Sequence, residues 1–195
     1  MPDHDNDKAI RRCKTKLLGH KIKFNMVVVV FGLPGAGKSY VASRLAKMIG
    51  ADYISSDWIR REMFKDRVYS EREKAAVYNV MLSKMMEAVN QHRDVVLDAT
   101  FHKNETRRLF VQAMEGIGGI YFIEVRASEN IISERLKRER PDSDADFEIY
   151  KFISHQSEPL NDPHLLLEST DENIANMLQK AADYLKWRDD KGTNQ

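Results

Sequence analysis

A mainly parallel α/β sheet flanked by helices is the fold this sequence predicts. Two observations point to it. Short β-branched apolar runs alternate with stretches of helical periodicity, and the first run leads through a glycine-rich turn, Gly32 to Ser39, into an amphipathic segment. Alternation of this kind needs right-handed crossovers over a parallel sheet. The bulk composition agrees. At 195 residues and 42% hydrophobic, the chain suits one domain with a real core. Its 31 basic and 30 acidic residues leave a net charge of +1, which argues against a dedicated nucleic-acid coat while leaving room for a local basic groove.

Taken in order, residues 1–23 read as a polar, partly basic arm, with Arg11, Arg12, Lys14, Lys16, Lys21 and Lys23 clustered. Such a run is a solvated tail or an RNA-touching one. Residues 24–188 read as the folded domain and 189–195 as a frayed end. Met26 to Phe31 is the run expected of a strand buried on both faces. Val41, Leu45 and Met48 then mark one helix face. Asp52 to Ser55 is a weaker strand. Glu71 to His92 reads as a long helix whose Val77, Met81, Met85 and Ala88 recur at core spacing, the methionines as filler. Asp94 to Leu97, Ile120 to Val125 and Leu165 to Leu167 read as further strands. Helices are expected over Glu105 to Met114, after a Ser128 cap, near Ala145 to His155, and from a Ser169–Glu172 capping box to about Trp187.

Gly32-Leu33-Pro34-Gly35-Ala36-Gly37-Lys38-Ser39 is a complete Walker A pattern in the right context, after a buried strand and before a helix. Glycines let successive backbone N–H groups turn inward to a phosphate, and the helix N-terminus adds a positive dipole end. Lys38 supplies a full charge for the β- and γ-phosphates, and the Ser39 hydroxyl can ligate Mg²⁺. Tyr40 comes next as the last residue of the nucleotide-contacting run.

Two carboxylates fall at strand ends, where open α/β sheets bind ligands. Asp98 closes Val95-Val96-Leu97 and has the position of a Walker B acid for Mg²⁺, or of a turn cap. Ala99 stands where motor ATPases carry a glutamate, which favours transfer to an acceptor over rapid hydrolysis. Asp57 lies just after the second strand. It can take the proton of an attacking hydroxyl or cap a short helix. Arg60 and Arg61 can grip an anionic acceptor group by their guanidinium forks, or face water. Arg135, Lys137, Arg138 and Arg140 crowd a helix end before Pro141. They read as helix-dipole partners or as an arginine-rich lid bringing charge over a transferring phosphate. His102 and His155 have no partner pattern, and the histidines form no zinc motif.

These residues together resemble a known group. Phe31 to Ser39, Asp57-Trp58-Ile59-Arg60-Arg61, Leu97-Asp98-Ala99-Thr100, Glu134-Arg135-Leu136 and the ending from Leu167 to Glu172 are similar to the "predicted kinase" branch of small P-loop proteins. That branch is similar to polynucleotide 5′-hydroxyl kinases, zeta toxins and gluconate kinases. The resemblance, over about Met26 to Leu185, implies a P-loop NTPase fold with an adenylate-kinase-like order of about five strands. It also implies use of ATP with Mg²⁺ and transfer of the γ-phosphoryl to a hydroxyl of a small molecule or nucleic-acid end. It further implies roles for Lys38, Ser39, Asp57 and a lid arginine. Tyr40 departs from the threonine usual there and bears on the α-phosphate contact. A zeta-toxin-like nucleotide-sugar kinase and a non-catalytic ATP-binding regulatory module are the competing readings. The single Cys13, which allows no internal disulfide, fits a cytoplasmic location. So does the polar start, Met1 to Asp7. No apolar run approaches the ~20 residues of a membrane span.

Overall fold

A computed structural model describes residues 26–137 and 146–192, with side chains described as far as Lys186. The arm at 1–23 and the expected lid residues Arg138 and Arg140 lie outside the described residues. Met26–Phe31 forms β1, and every residue of it is buried. It lies at the centre of a five-stranded sheet of order β2-β3-β1-β4-β5, with β2 Asp52–Ser55, β3 Val95–Ala99, β4 Gly119–Arg126 and β5 Leu165–Glu168. All four pairings are parallel, so the P-loop α/β fold expected from the sequence is present.

The central position explains the composition of β1. Its side chains alternate between two apolar layers, which is why a run of valines serves where a polar alternation would not. Val28 and Val30 pack beneath α1 (Lys38–Ile49) and the last helix, α7 (Ile174–Gly192), with Leu45, Met177, Leu178 and Leu185. Val27 and Val29 pack on the opposite face with Met81 and Met85 of α3 (Glu71–Asn90) and Phe110 and Met114 of α4 (Asn104–Met114). The methionines are therefore core filler, as their spacing implies. Full burial of each such side chain stabilises by about 1.5–3 kcal/mol.

The remaining helices are short: α2 Ser56–Met63, α5 Glu129–Leu136 and α6 Phe147–Gln156. Ser128 caps α5 as expected, its Oγ accepting from the Ile131 amide. Three local readings change. The long helix stops at Asn90, and His92 has a positive φ of 57°. The strand expected from Asp94 begins at Val95, because the Asp94 carboxylate instead accepts the Met26 amide at 2.8 Å. The Ser169–Glu172 capping box does not form. Asn173 closes that turn by accepting the Thr170 amide and donating to the Glu168 carbonyl, and α7 then runs past Trp187 to Gly192.

Candidate active site

The phosphate loop is held open by backbone that only glycine fits. A Cβ on Gly32, at φ 152°, would stand 2.2 Å from the Val125 carbonyl oxygen of β4. Gly37 is the left-handed N-cap of α1, and a Cβ there would meet Ser169 Oγ at 2.9 Å. No side chain caps α1 and no acid occupies its first turn. Its orphan N–H groups therefore remain for an anion. The side chain of Lys38, the first residue of the helix, makes no hydrogen bond or ion pair among the described residues.

Strand pairing sets the carboxylates beside the loop. Asp98 is in register with Val30 on one side and Ser55 on the other, on the sheet face that α1 covers. It is 1% exposed. Its Oδ2 accepts the Tyr53 hydroxyl at 2.6 Å, and its Oδ1 is buried with no hydrogen-bond partner. Burial raises its pKa; Lys38, the Tyr53 hydroxyl and the nearby Ser39 hydroxyl oppose this without cancelling it, and the Asp57 charge adds a smaller push upward. A buried carboxylate with one orphan oxygen beside a serine and a lysine is a fit for a cation shared with phosphates. No group of three or more His, Cys, Asp or Glu side chains forms a metal cage among the described residues. Mg²⁺ does not need one, since it keeps several waters and binds through one or two carboxylates plus phosphate oxygens.

Asp57 sits in the first turn of α2, two residues beyond the end of β2. The N-cap is Ser55. Asp57 itself is half-buried and makes no hydrogen bond or ion pair among the described residues. Its carboxylate is thus close enough to Asp98 and Tyr53 to act on their charge states while remaining unengaged.

The expected arginines divide. Arg60 is 6% exposed and its guanidinium lies 3.1 Å from Glu73 and 4.6 Å from the centre of the Tyr69 ring. Glu73 also accepts the Val68 and Tyr69 amides at 3.0 and 2.6 Å. Arg60 is therefore a tie between α2 and α3, and a poor candidate for an acceptor anion; Arg61 beside it is half-buried. Arg135 is likewise engaged. Its Nη1 donates to the carbonyls of Gly35 and Ala36 and to Ser169 Oγ, while Nε and Nη2 donate to Asp171. In this arrangement it braces the outside of the phosphate loop against the turn after β5 rather than covering a phosphate. Tyr40, the residue after Ser39, is 48% exposed with the Arg44 guanidinium 3.4 Å above its ring centre.

A cavity of about 280 Å³ opens beside the loop, lined among others by Gly32, Thr100, Glu124, Tyr150, Ser157 and Glu158. Glu124 lies near the end of β4 as Asp98 does in β3. It accepts from both Nε and Nη2 of Arg126 at 2.8 Å and meets His164 Nε2 at 3.2 Å. Two of the lining residues, Glu158 and Pro159, are held by Arg107 in α4, which is 2% exposed. It donates to the carbonyls of Phe101, Glu158 and Pro159 and to Asn104, clasping the loop after β3 to the segment after α6. Tyr53, Glu124 and Arg107 are not singled out by the sequence. The strand-end position that marks Asp98 also marks Glu124. For Tyr53 the available signal is its place two residues from Ser55, on the same face of β2. Arg107 carries none.

A family model described as an AAA domain matches residues 27–152. The chain belongs to that family. Its relatives include a shikimate kinase of Corynebacterium efficiens, 30% identical over 139 residues, 69% of this chain and 80% of that one. An uncharacterized protein of Mycobacterium tuberculosis is 28% identical over 137 residues, 63% of this chain, and the match spans only 28% of that longer protein. Among solved structures, a gluconokinase from Sinorhizobium meliloti superposes with a TM-score of 0.65 at 18% identity, over 87% of this chain and 96% of that one. The Mycobacterium tuberculosis APS kinase, solved with AMPPNP and APS, gives 0.64 at 17% identity over 84% and 98%. At these identities the structures speak for the fold. The family is thus one of P-loop proteins with kinases among its relatives.

Proposed function

We propose that this protein is a kinase that transfers the γ-phosphoryl of ATP–Mg²⁺ to a hydroxyl of a small polar acceptor, with Asp57 as the general base. The observation that carries the proposal is the unengaged, half-buried Asp57 carboxylate at the same sheet edge as Asp98. A merely structural aspartate in a helix first turn would be expected to bond an amide or a cation. The kinase relatives support the reaction class, and the shikimate and APS kinases by name act on particular small acceptors.

Each residue then has a task. The loop amides and Lys38 hold the nucleotide phosphates. Ser39 and Asp98 would hold Mg²⁺, which would offset the charge of the phosphates. The acceptor oxygen attacks the γ-phosphorus as its proton passes to Asp57. A new O–P bond forms, the bond from the γ-phosphorus to the β,γ-bridging oxygen breaks, and ADP leaves. Arg138 and Arg140, read from the sequence alone, remain the candidates for added charge on the transferring group, since Arg135 is occupied in bracing the loop.

A base that acts as the hydroxyl attacks contributes to the transition state and little to ground-state ATP binding. Asp57→Asn should lower acceptor phosphorylation by roughly 10²–10⁴ while ATP affinity and the thermal midpoint stay near wild type. Single-turnover transfer, after a screen of hydroxyl acceptors with labelled ATP, is the measurement. Unchanged transfer with a lowered melting temperature would make Asp57 a structural residue. ATP binding that alters a partner's affinity, with no acceptor phosphorylated, would establish the regulatory module instead.

A further inference from the structure

The structure assigns Tyr53 as a positioning residue for the cation-binding carboxylate: its hydroxyl occupies one oxygen of Asp98 and leaves the other as the face offered to the metal. This rests on the ATP–Mg²⁺ part of the proposed function and needs no acceptor. The placement comes from strand register. Tyr53 is paired with Val96 and Ser55 with Asp98, so Tyr53 and Asp98 are diagonal neighbours on one face of the parallel pair β2–β3. Diagonal neighbours are ~7–8 Å apart, a gap that a long side chain spans and a serine does not. The phenol closes it, reaching Asp98 Oδ2 at 2.6 Å.

Three details separate this contact from an incidental one. A buried phenol needs only one acceptor, and any carbonyl would serve. Here the acceptor is the one carboxylate at the end of β3, and the bond fixes its rotamer. The oxygen left over, Oδ1, is buried without a partner, an arrangement that costs stability unless a ligand fills it. The ring itself is held from the far side, its edge against Trp58 with centroids 5.3 Å apart and planes at 84°. Trp58 adjoins Asp57 in α2, so the aromatic pair links the helix of the proposed base to the cation carboxylate. Ligand orientation by an outer hydrogen bond of this kind is common to metal sites, and its loss typically costs ~10–100-fold in metal affinity.

The test uses Tyr53→Phe, which keeps the ring and its packing on Trp58 and removes only the hydroxyl. Mn²⁺ is titrated into the protein–ADP complex and followed by its spin resonance signal; ADP is used so that nothing turns over. ADP affinity is also measured in chelator, without metal. The expected result is a fall in Mn²⁺ affinity of about tenfold, with metal-free ADP affinity unchanged and a modestly lowered thermal midpoint, because Asp98 Oδ2 loses the phenol that donates to it. In an Asp98→Asn background, Tyr53→Phe should then cost nothing further, because its effect passes through that carboxylate. Wild-type Mn²⁺ affinity in Tyr53→Phe overturns the proposal. So does an equal loss of ADP affinity with and without metal, which would make the phenol a support of the loop at large. So does an additive loss in the Asp98→Asn background. If wild-type protein binds ADP with no help from metal, the cation reading and the role of Tyr53 fall together. If Tyr53→Phe behaves as expected and no acceptor is ever phosphorylated, the kinase reading fails and Tyr53 keeps its role.

Discussion

The two sides of the site are built to different standards. On the nucleotide side, α1 buries Val41, Ala42, Leu45, Ala46 and Met48, and the loop before it is braced by Arg135, which makes five hydrogen bonds. On the other side, α6 buries no residue at all and leaves Phe152 58% exposed. Elements with few buried contacts open at a small fraction of the global unfolding cost. The contrast teaches that the phosphate-holding half is preassembled. The cover over the cavity is instead held mainly at the C-terminal side of α6, where Arg107 clasps Glu158 and Pro159. The proposed phosphoryl transfer would use that division, because an acceptor must enter and water must then leave.

The comparison can be broken from either side. The largest effect is expected at Gly32. Gly32→Ala would drive a Cβ against backbone, the Val125 carbonyl at 2.2 Å, so neither side can relax by a rotamer change. A loss of roughly 4 kcal/mol or more, visible in a urea melt, is expected. Next comes Arg107→Met. It would strand the carbonyls of Phe101, Glu158 and Pro159, at a cost of roughly 1–3 kcal/mol. Limited proteolysis should then cut near α6 sooner than in wild type while ATP affinity holds. If ATP affinity falls first, the clasp serves the nucleotide side and the two halves are not independent.

A smaller effect is tied to pH. Burial alone would raise the Glu73 pKa, but the Arg60 guanidinium and the Tyr69 and Val68 amides outweigh it and hold the carboxyl below its usual value. A depressed folded-state pKa stabilises above the unfolded value, about 4.3, and that stability is lost as pH falls through the folded value. Glu73→Gln should therefore be less stable than wild type at neutral pH, and the gap should close as the pH falls below about 4.3 and through the depressed folded value. A gap that does not change with pH would mean the side chain matters for shape alone. Smallest of all is Phe152→Ser on α6. It should shift global stability by less than about 0.5 kcal/mol, and amide exchange should show α6 opening far more readily than α1 in both proteins.

Most of the nucleotide side is legible in the sequence because its determinants are local. Strand, glycine turn, lysine and helix succeed one another without a gap, and Asp98 announces itself at the end of an apolar run. The illegible part depends on distant partners. Arg60 looks like a solvent-facing or anion-binding arginine until Glu73 is seen to draw it inside. Ser169 and Glu172 have the spacing of a capping box, yet Ser169 is 4% exposed and its hydroxyl serves Arg135. A capping arrangement that does form, Ser70 accepting from the Glu73 amide, has that same spacing in the sequence; what the spacing does not state is that Glu73 reaches back to Val68 and Tyr69 as well as toward Arg60. The Tyr53–Asp98 bond spans two strands whose pairing no local pattern states.

The sheet order has a consequence for how the chain comes off the ribosome. Neither β1 nor β2 pairs with the other; both pair with β3. At ~5–20 residues per second, synthesis leaves Met26–Phe31 without a neighbour for roughly 3–14 s until Ala99 has been added. During that interval six uncharged residues, four of them valine, form the kind of segment that pairs with copies of itself. Val95–Ala99 therefore ends the most hazardous stage of synthesis as well as carrying Asp98, the carboxylate proposed to hold the cation. A substitution that slows its docking would be felt first as lost yield of soluble protein, before any change in the activity of the molecules that do fold.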